Sequence, residues 1–227
     1  MASIRALGAG VAALGLGIGA LIPIFLVAYP AAGVTPADAG RPEVILPVIA
    51  ATPLLIEGPG FLEVATHLLG GAALLGLWMT LGKDSILLTT ATVAGIAWMA
   101  VDVIANAVTL HVVPILAVDH MSGSPTAATS LALLTQVVDG LRLGAHALGG
   151  LWIVGFSEFA RRTGLVPAAI SWIGIPVGVV LSANLLAPAL MNVSFMTVPA
   201  WLVALGIALT RTKPASELAR RSRLAMA

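Results

Sequence analysis

Residues 4–29 read IRALGAGVAALGLGIGALIPIFLVAY, and after Arg5 none of them carries a charge. A helix rises about 1.5 Å per residue, and about 20 apolar residues cross the roughly 30 Å hydrocarbon core of a bilayer, so this run is long enough to span. It is also longer than the roughly 7–15-residue apolar stretch of a cleavable signal peptide, so it reads as a retained span. Working outward, five more segments of the same kind lie between charges and prolines, at 61–82, 85–112, 126–157, 165–186 and 189–210. The expected fold is all-α, a polytopic transmembrane bundle of six helices. Residues 1–210 form the six-span domain with an outer proline-rich loop at 30–60, and residues 211–227 form a basic cytoplasmic tail.

Composition agrees. Of 227 residues, 59% are hydrophobic and 9% charged, with a mean hydropathy of +1.05. Eleven basic and ten acidic residues cannot supply the charged surface that a soluble core of this size needs. A net charge of +1 with no concentrated basic face sets nucleic acid aside as a partner. The absence of cysteine removes disulfides, thiolate nucleophiles and cysteine metal sites.

Orientation follows from the basic residues, which concentrate in short cytoplasmic loops. With six spans, Arg5, Lys83, Arg161, Arg162, Arg211, Lys213, Arg220, Arg221 and Arg223 fall on one side, Arg41 alone on the other, and Arg142 inside the fourth span. Both termini are therefore expected in the cytoplasm, in a plasma membrane. The segment from Pro30 to Pro59 holds six prolines around the apolar pieces 44–46 and 48–55, which suggests a cover folded over the outer mouth. Ser124 and Pro125 are placed to cap and start the fourth helix. In the first span Gly8, Gly10, Gly15, Gly17 and Gly19 permit close helix packing, within the chain or in a homo-oligomer or larger membrane complex.

Charged side chains in hydrocarbon cost at least a few kcal/mol, about 2.5 or more, so their positions carry the functional signal. Glu63 and His67 share a face of the second span, Asp102 and Asn106 of the third, and Asp139, Arg142 and His146 of the fourth. Counted along the helices they converge on the outer third of the membrane, where they line a polar cavity open to the outside or pair to lock helices together. His67 and His146 lie at similar depth on different helices, the minimum condition for ligating a haem b. No metal-ligand motif accompanies them, and no cofactor is expected. The favoured reading is a non-catalytic membrane subunit or a small-molecule or lipid-binding protein with an outward-facing polar cavity. Three others stay open: a membrane-embedded enzyme using carboxylic acid and histidine on a lipid or isoprenoid-like substrate, a proton-coupled transporter, and a b-type haem carrier.

The stretch Gly149-Gly150-Leu151-Trp152, running to Arg161-Arg162-Thr163-Gly164-Leu165-Val166-Pro167 with Gly174 beyond, resembles a broad group of six-helix bacterial integral membrane proteins that carry a domain of unknown function. The resemblance implies the six-helix fold and supplies no catalytic residues. Nine Arg against two Lys, with abundant Ala and Gly, fits a GC-rich bacterial genome.

Overall fold

The computed structural model describes residues 3–35, 38, 40–82 and 85–212. Lys83 and the tail beyond Thr212, both used in the orientation argument, lie outside the described residues. The described chain forms seven helices: α1 (Ile4–Ala31), α2 (Pro42–Ala51), α3 (Leu54–Leu81), α4 (Ile86–Met121), α5 (Ala127–Thr163), α6 (Ala168–Ala183) and α7 (Met191–Thr210). Among them five, α1, α3, α4, α5 and the helical stretch Pro188–Thr210, are long and apolar enough to cross a membrane.

The expected fifth span is the exception. Instead of covering 165–186 it is a 16-residue helix, about 24 Å long and short of a full crossing on its own. Pro167 delays its start, and tight turns at Asn184 to Ala187 end it early. It nevertheless packs beside α7 as a hairpin. The Thr212 hydroxyl donates to Leu165 O at 3.4 Å at one end of the α6–α7 hairpin, and Asn184 Nδ2 donates to Ser194 Oγ at 3.1 Å at the other.

Local signals explain most boundaries. Ser3 caps α1 by accepting from Ala6 N, and Ser85 caps α4 by accepting from Leu88 N. Gly164, at φ 62°, takes the left-handed conformation that ends α5. α5 itself starts two residues later than Ser124 and Pro125 suggest, at Ala127 behind Thr126. After Pro23 the first helix widens into a π-helical turn over Ile24–Ala28, closed by Tyr29 N donating to Ile24 O, before resuming.

Leaving α2 aside, each helix packs on the next in chain order, and α1 closes the ring against α7. The glycines of the first span face this chain's own helices. A Cβ at Gly8 would stand 2.7 Å from Leu209 Cβ, one at Gly15 2.8 Å from Pro199 O, and one at Gly10 2.9 Å from Ala73 Cβ. Close backbone approach of this kind is what holds helices together where lipid is as apolar as leucine. The centre of the ring is filled by Trp98, Trp152, Phe156 and Trp201, with Trp152 6.3 Å from Trp98 and 6.0 Å from Trp201 between ring centroids.

There are two apolar cores. The larger runs through the ring from Leu7 and Leu88 to Trp98, Ala145 and Leu202. The smaller lies at the far end, where Leu46 and Ile49 of α2 pack on Val113 and Ala117 of α4 and Ala127 and Leu131 of α5. Thus part of the proline-rich segment forms a helical cover over the extended ends of α4 and α5. Arg5, Arg161, Arg162 and Arg211 all mark the opposite end, here named the basic end.

Candidate functional site

Between the two cores lies a polar layer contributed by α3, α4 and α5. Counting from the basic-end terminus of each helix, His67, Asp102 and His146 stand about 21–26 Å along, and Glu63, Asn106 and Arg142 about 27–32 Å. Six of the seven residues singled out by their spacing thus meet at one level. The pairing, however, runs between helices.

In the lower tier His67 on α3 faces Asp102 on α4, Nε2 to Oδ2 at 3.3 Å, with both side chains about 7% exposed. The other ring nitrogen, Nδ1, lies 2.7 Å from Glu63 O. A carbonyl can only accept, so Nδ1 carries a hydrogen and donates it. Both imidazole nitrogens are therefore engaged, which leaves none to ligate a haem iron unless the contact with Asp102 breaks. His146 on α5 lies within electrostatic reach of Asp102 and His67. Its Nδ1 and Trp98 Nε1 are buried without hydrogen-bond partners. The Trp98 ring meets His67 edge to face at 6.2 Å. Among the described residues no group of three or more His, Asp or Glu is arranged to hold a metal ion.

In the upper tier Arg142 Nη2 lies 3.5 Å from Glu63 Oε2 and donates to Asn106 Oδ1 at 2.8 Å. Asn106 is set for this by its own Nδ2, which donates to Asp102 O one turn back. This tier is the open end of the layer: the Arg142 and Glu63 side chains keep 33% and 18% of their surface exposed. Tyr29 of α1, whose side chain lies within electrostatic reach of both, donates its hydroxyl to Leu55 O at 2.9 Å. That carbonyl is freed because Pro59, four residues on, has no N–H to give it.

Asp139 does not belong to the layer. The buried seam of α5 repeats every seven residues through Leu131, Val138, Ala145, Trp152 and Phe159, so Asp139 and His146 each flank it by one residue. At the level of His146 that flank comes within electrostatic reach of His67 and Asp102. At the level of Asp139 it is open, and the side chain is exposed. Arg142, three residues from Asp139 on the same helix, pairs instead with Glu63, and among the described residues the layer's other ion pair joins His67 to Asp102.

Spacing alone also passed over Tyr29 and Trp98. The available signals were slight: Tyr29 is the sole tyrosine, at the end of the first span, and Trp98 precedes Asp102 by four residues on one helical face. Comparison with family models, curated proteins and solved structures finds no match to this chain.

Proposed function

We propose that the chain is a multipass protein of the bacterial plasma membrane, crossing six times with both termini in the cytoplasm, that binds a small polar molecule or lipid headgroup without transforming it. The observation that carries this reading is the Glu63–Arg142 pair, set about one hydrocarbon thickness, roughly 30 Å, from the basic end. A guanidinium at that boundary presents a planar set of N–H donors suited to phosphate or carboxylate, and Glu63 adds an acceptor for a cationic group. The shared position of Arg5, Arg161, Arg162 and Arg211 supports a cytoplasmic basic end. α6 makes the sixth crossing with the help of its flanking turns, since its neighbour α7 meets it at both ends.

A second reading, an acid–base enzyme acting on a lipid or isoprenoid-like substrate, is favoured by the buried His67–Asp102 pair. Through-membrane proton transport draws less support. Toward the basic end the next buried polar side chains on α4 and α5 are Thr92 and Ser157, about 15 Å further on, with Trp98 and Trp152 between.

The test is mass spectrometry of lipids and metabolites extracted from detergent-purified protein. One species enriched over the host membrane should be retained by the natural chain and lost from the Glu63→Gln/Arg142→Met double variant. A natural chain that retains nothing enriched overturns the binding reading, and a modified form of the bound species that disappears in Asp102→Asn moves the assignment to the enzyme.

A further inference from the structure

We propose that the His67–Asp102 pair is a one-proton binding site, open toward the α2 end and closed toward the basic end. This deepens the reading of the same site and rests on it only for the site's place in the membrane. The argument is geometric. His67 Nδ1 donates to Glu63 O, so a neutral His67 has only a lone pair at Nε2, directed at Asp102 Oδ2 3.3 Å away. An ionised Asp102 also has only lone pairs to offer there. The contact therefore needs one proton, held as imidazolium and carboxylate or as imidazole and carboxylic acid. On release the proton passes to water at the Glu63–Arg142 mouth, leaving neutral His67 and ionised Asp102.

Charge counting agrees. With one proton in the pair, and with Arg142 balancing Glu63, the layer is neutral; without it the layer carries an unbalanced negative charge in an apolar bundle, and with a second proton an unbalanced positive one. The other titratable or charged groups within reach are Glu63 on α3, Arg142 and His146 on α5 and Tyr29 on α1. Asp139 stands exposed outside the layer. Access is one-sided because Trp98 and Trp152, 2% and 1% exposed, fill the space below the pair, whereas the Arg142 side chain above is one-third exposed.

The sign of the pH dependence follows. An unfolded chain gives up the histidine proton near pH 6.5 while the folded pair keeps it, so the stability carried by the proton is complete below about pH 6.5 and declines as pH rises. One proton released on unfolding changes the unfolding constant tenfold per pH unit, about 1.4 kcal/mol. In Asp102→Asn the amide Nδ2 donates to Nε2 of neutral His67, so the contact survives without the proton.

The experiment follows thermal and denaturant unfolding of delipidated protein in detergent, from about pH 6.5 to 9. The natural chain should lose stability by up to tenfold per pH unit relative to Asp102→Asn, and His67→Gln should match Asp102→Asn. Equal slopes in the natural chain and in whichever of the two pair variants folds would overturn the proposal. Dissipation of a pH gradient by the natural chain in phosphatidylglycerol/phosphatidylethanolamine vesicles would overturn its one-sidedness. Because the titration uses protein stripped of lipid, a failure here and a failure to find a bound ligand are separate results.

Discussion

Arg142 joins Glu63 of α3 at 3.5 Å and Asn106 of α4 at 2.8 Å through a single nitrogen, Nη2, so one guanidinium on α5 ties three helices together. Removing it strands a largely covered carboxylate. Arg142→Met should cost about 1–3 kcal/mol, less than the 3–5 typical of a fully buried pair, because both side chains are partly exposed. Adding Glu63→Gln should recover part of that loss. A double-mutant cycle read by thermal unfolding should give a coupling of about 0.5–3 kcal/mol. A coupling of zero would mean that the pair contributes nothing to holding α3 on α5.

The same substitution should have opposite effects at two glycines of α5. A Cβ at Gly150 would lie 2.7 Å from the backbone nitrogen of Ser182, and one at Gly178 would lie 2.7 Å from Gly150 O, so the α5–α6 crossing has no room for a methyl group. Gly150→Ala should destabilise by about 1–3 kcal/mol through overpacking. Gly140 has nothing within 4 Å of the corresponding position. There Gly140→Ala should stabilise by up to about 1 kcal/mol, through helix propensity alone. Unfolding midpoints of the two variants in one detergent check the sign of each.

How far the sequence could be read depends on the kind of interaction. Long uncharged runs report a span directly, because the requirement is length and apolarity within one segment; α1, α3, α4, α5 and α7 were legible for that reason. Their ends were less so. α3 starts at Leu54 and passes through Pro59, and α4 continues to Met121 through Pro114, because neighbouring helices supply what a proline removes, as Tyr29 does for Leu55 O. The polar layer was legible as a depth, since each helix has its own ruler. Its partners were not. Spacing of three or four residues suggests pairs along one helix, such as Glu63 with His67 or Asp139 with Arg142, whereas rotation of each helix about its axis decides which flank is covered. That rotation is set by packing between helices, and it brings His67 to Asp102 and leaves Asp139 outside.

Tyr29→Phe isolates the proline compensation. It removes one hydroxyl and leaves Leu55 O without its donor, while the ring can keep its stacking on Phe25 at 5.5 Å. The expected cost is about 1–3 kcal/mol, the penalty for an unpaired buried carbonyl. Hydrogen exchange along α3 should localise the loss to the turns around Pro59. An unchanged exchange pattern there would mean that Leu55 O has found another donor.

Asp38 gives a pH-dependent contact away from the layer. The Thr35 hydroxyl donates to Asp38 Oδ2 at 2.7 Å and Thr35 N at 2.9 Å, with Arg41 Nη1 at 3.1 Å from Oδ1. These donors, the hydroxyl foremost, hold its carboxyl below the usual range. A depressed carboxylate contributes above its ordinary value of about 3.9, and the contribution is lost as pH falls through the lower folded value. Thr35→Val should move the Asp38 titration upward, toward that ordinary value, in carboxyl-resolved NMR. A titration that does not move would assign the depression to the Thr35 backbone N–H and Arg41.

The two apolar cores predict two levels of stability. Leu46 is fully buried in the smaller core, whereas Leu202 is fully buried in the larger one. The polar layer between them transmits few apolar contacts, so the α2 cover should open without unfolding the ring. Leu46→Ala removes a packed side chain at a cost of about 2–5 kcal/mol. If the cost falls on the cover alone, α2 amides should exchange at least about 30-fold faster, with the main unfolding transition nearly unchanged. Leu202→Ala should instead lower that main transition and leave the exchange of the α2 amides nearly unchanged. Should Leu46→Ala depress the main transition as strongly as Leu202→Ala, the cover and the ring would be one cooperative unit.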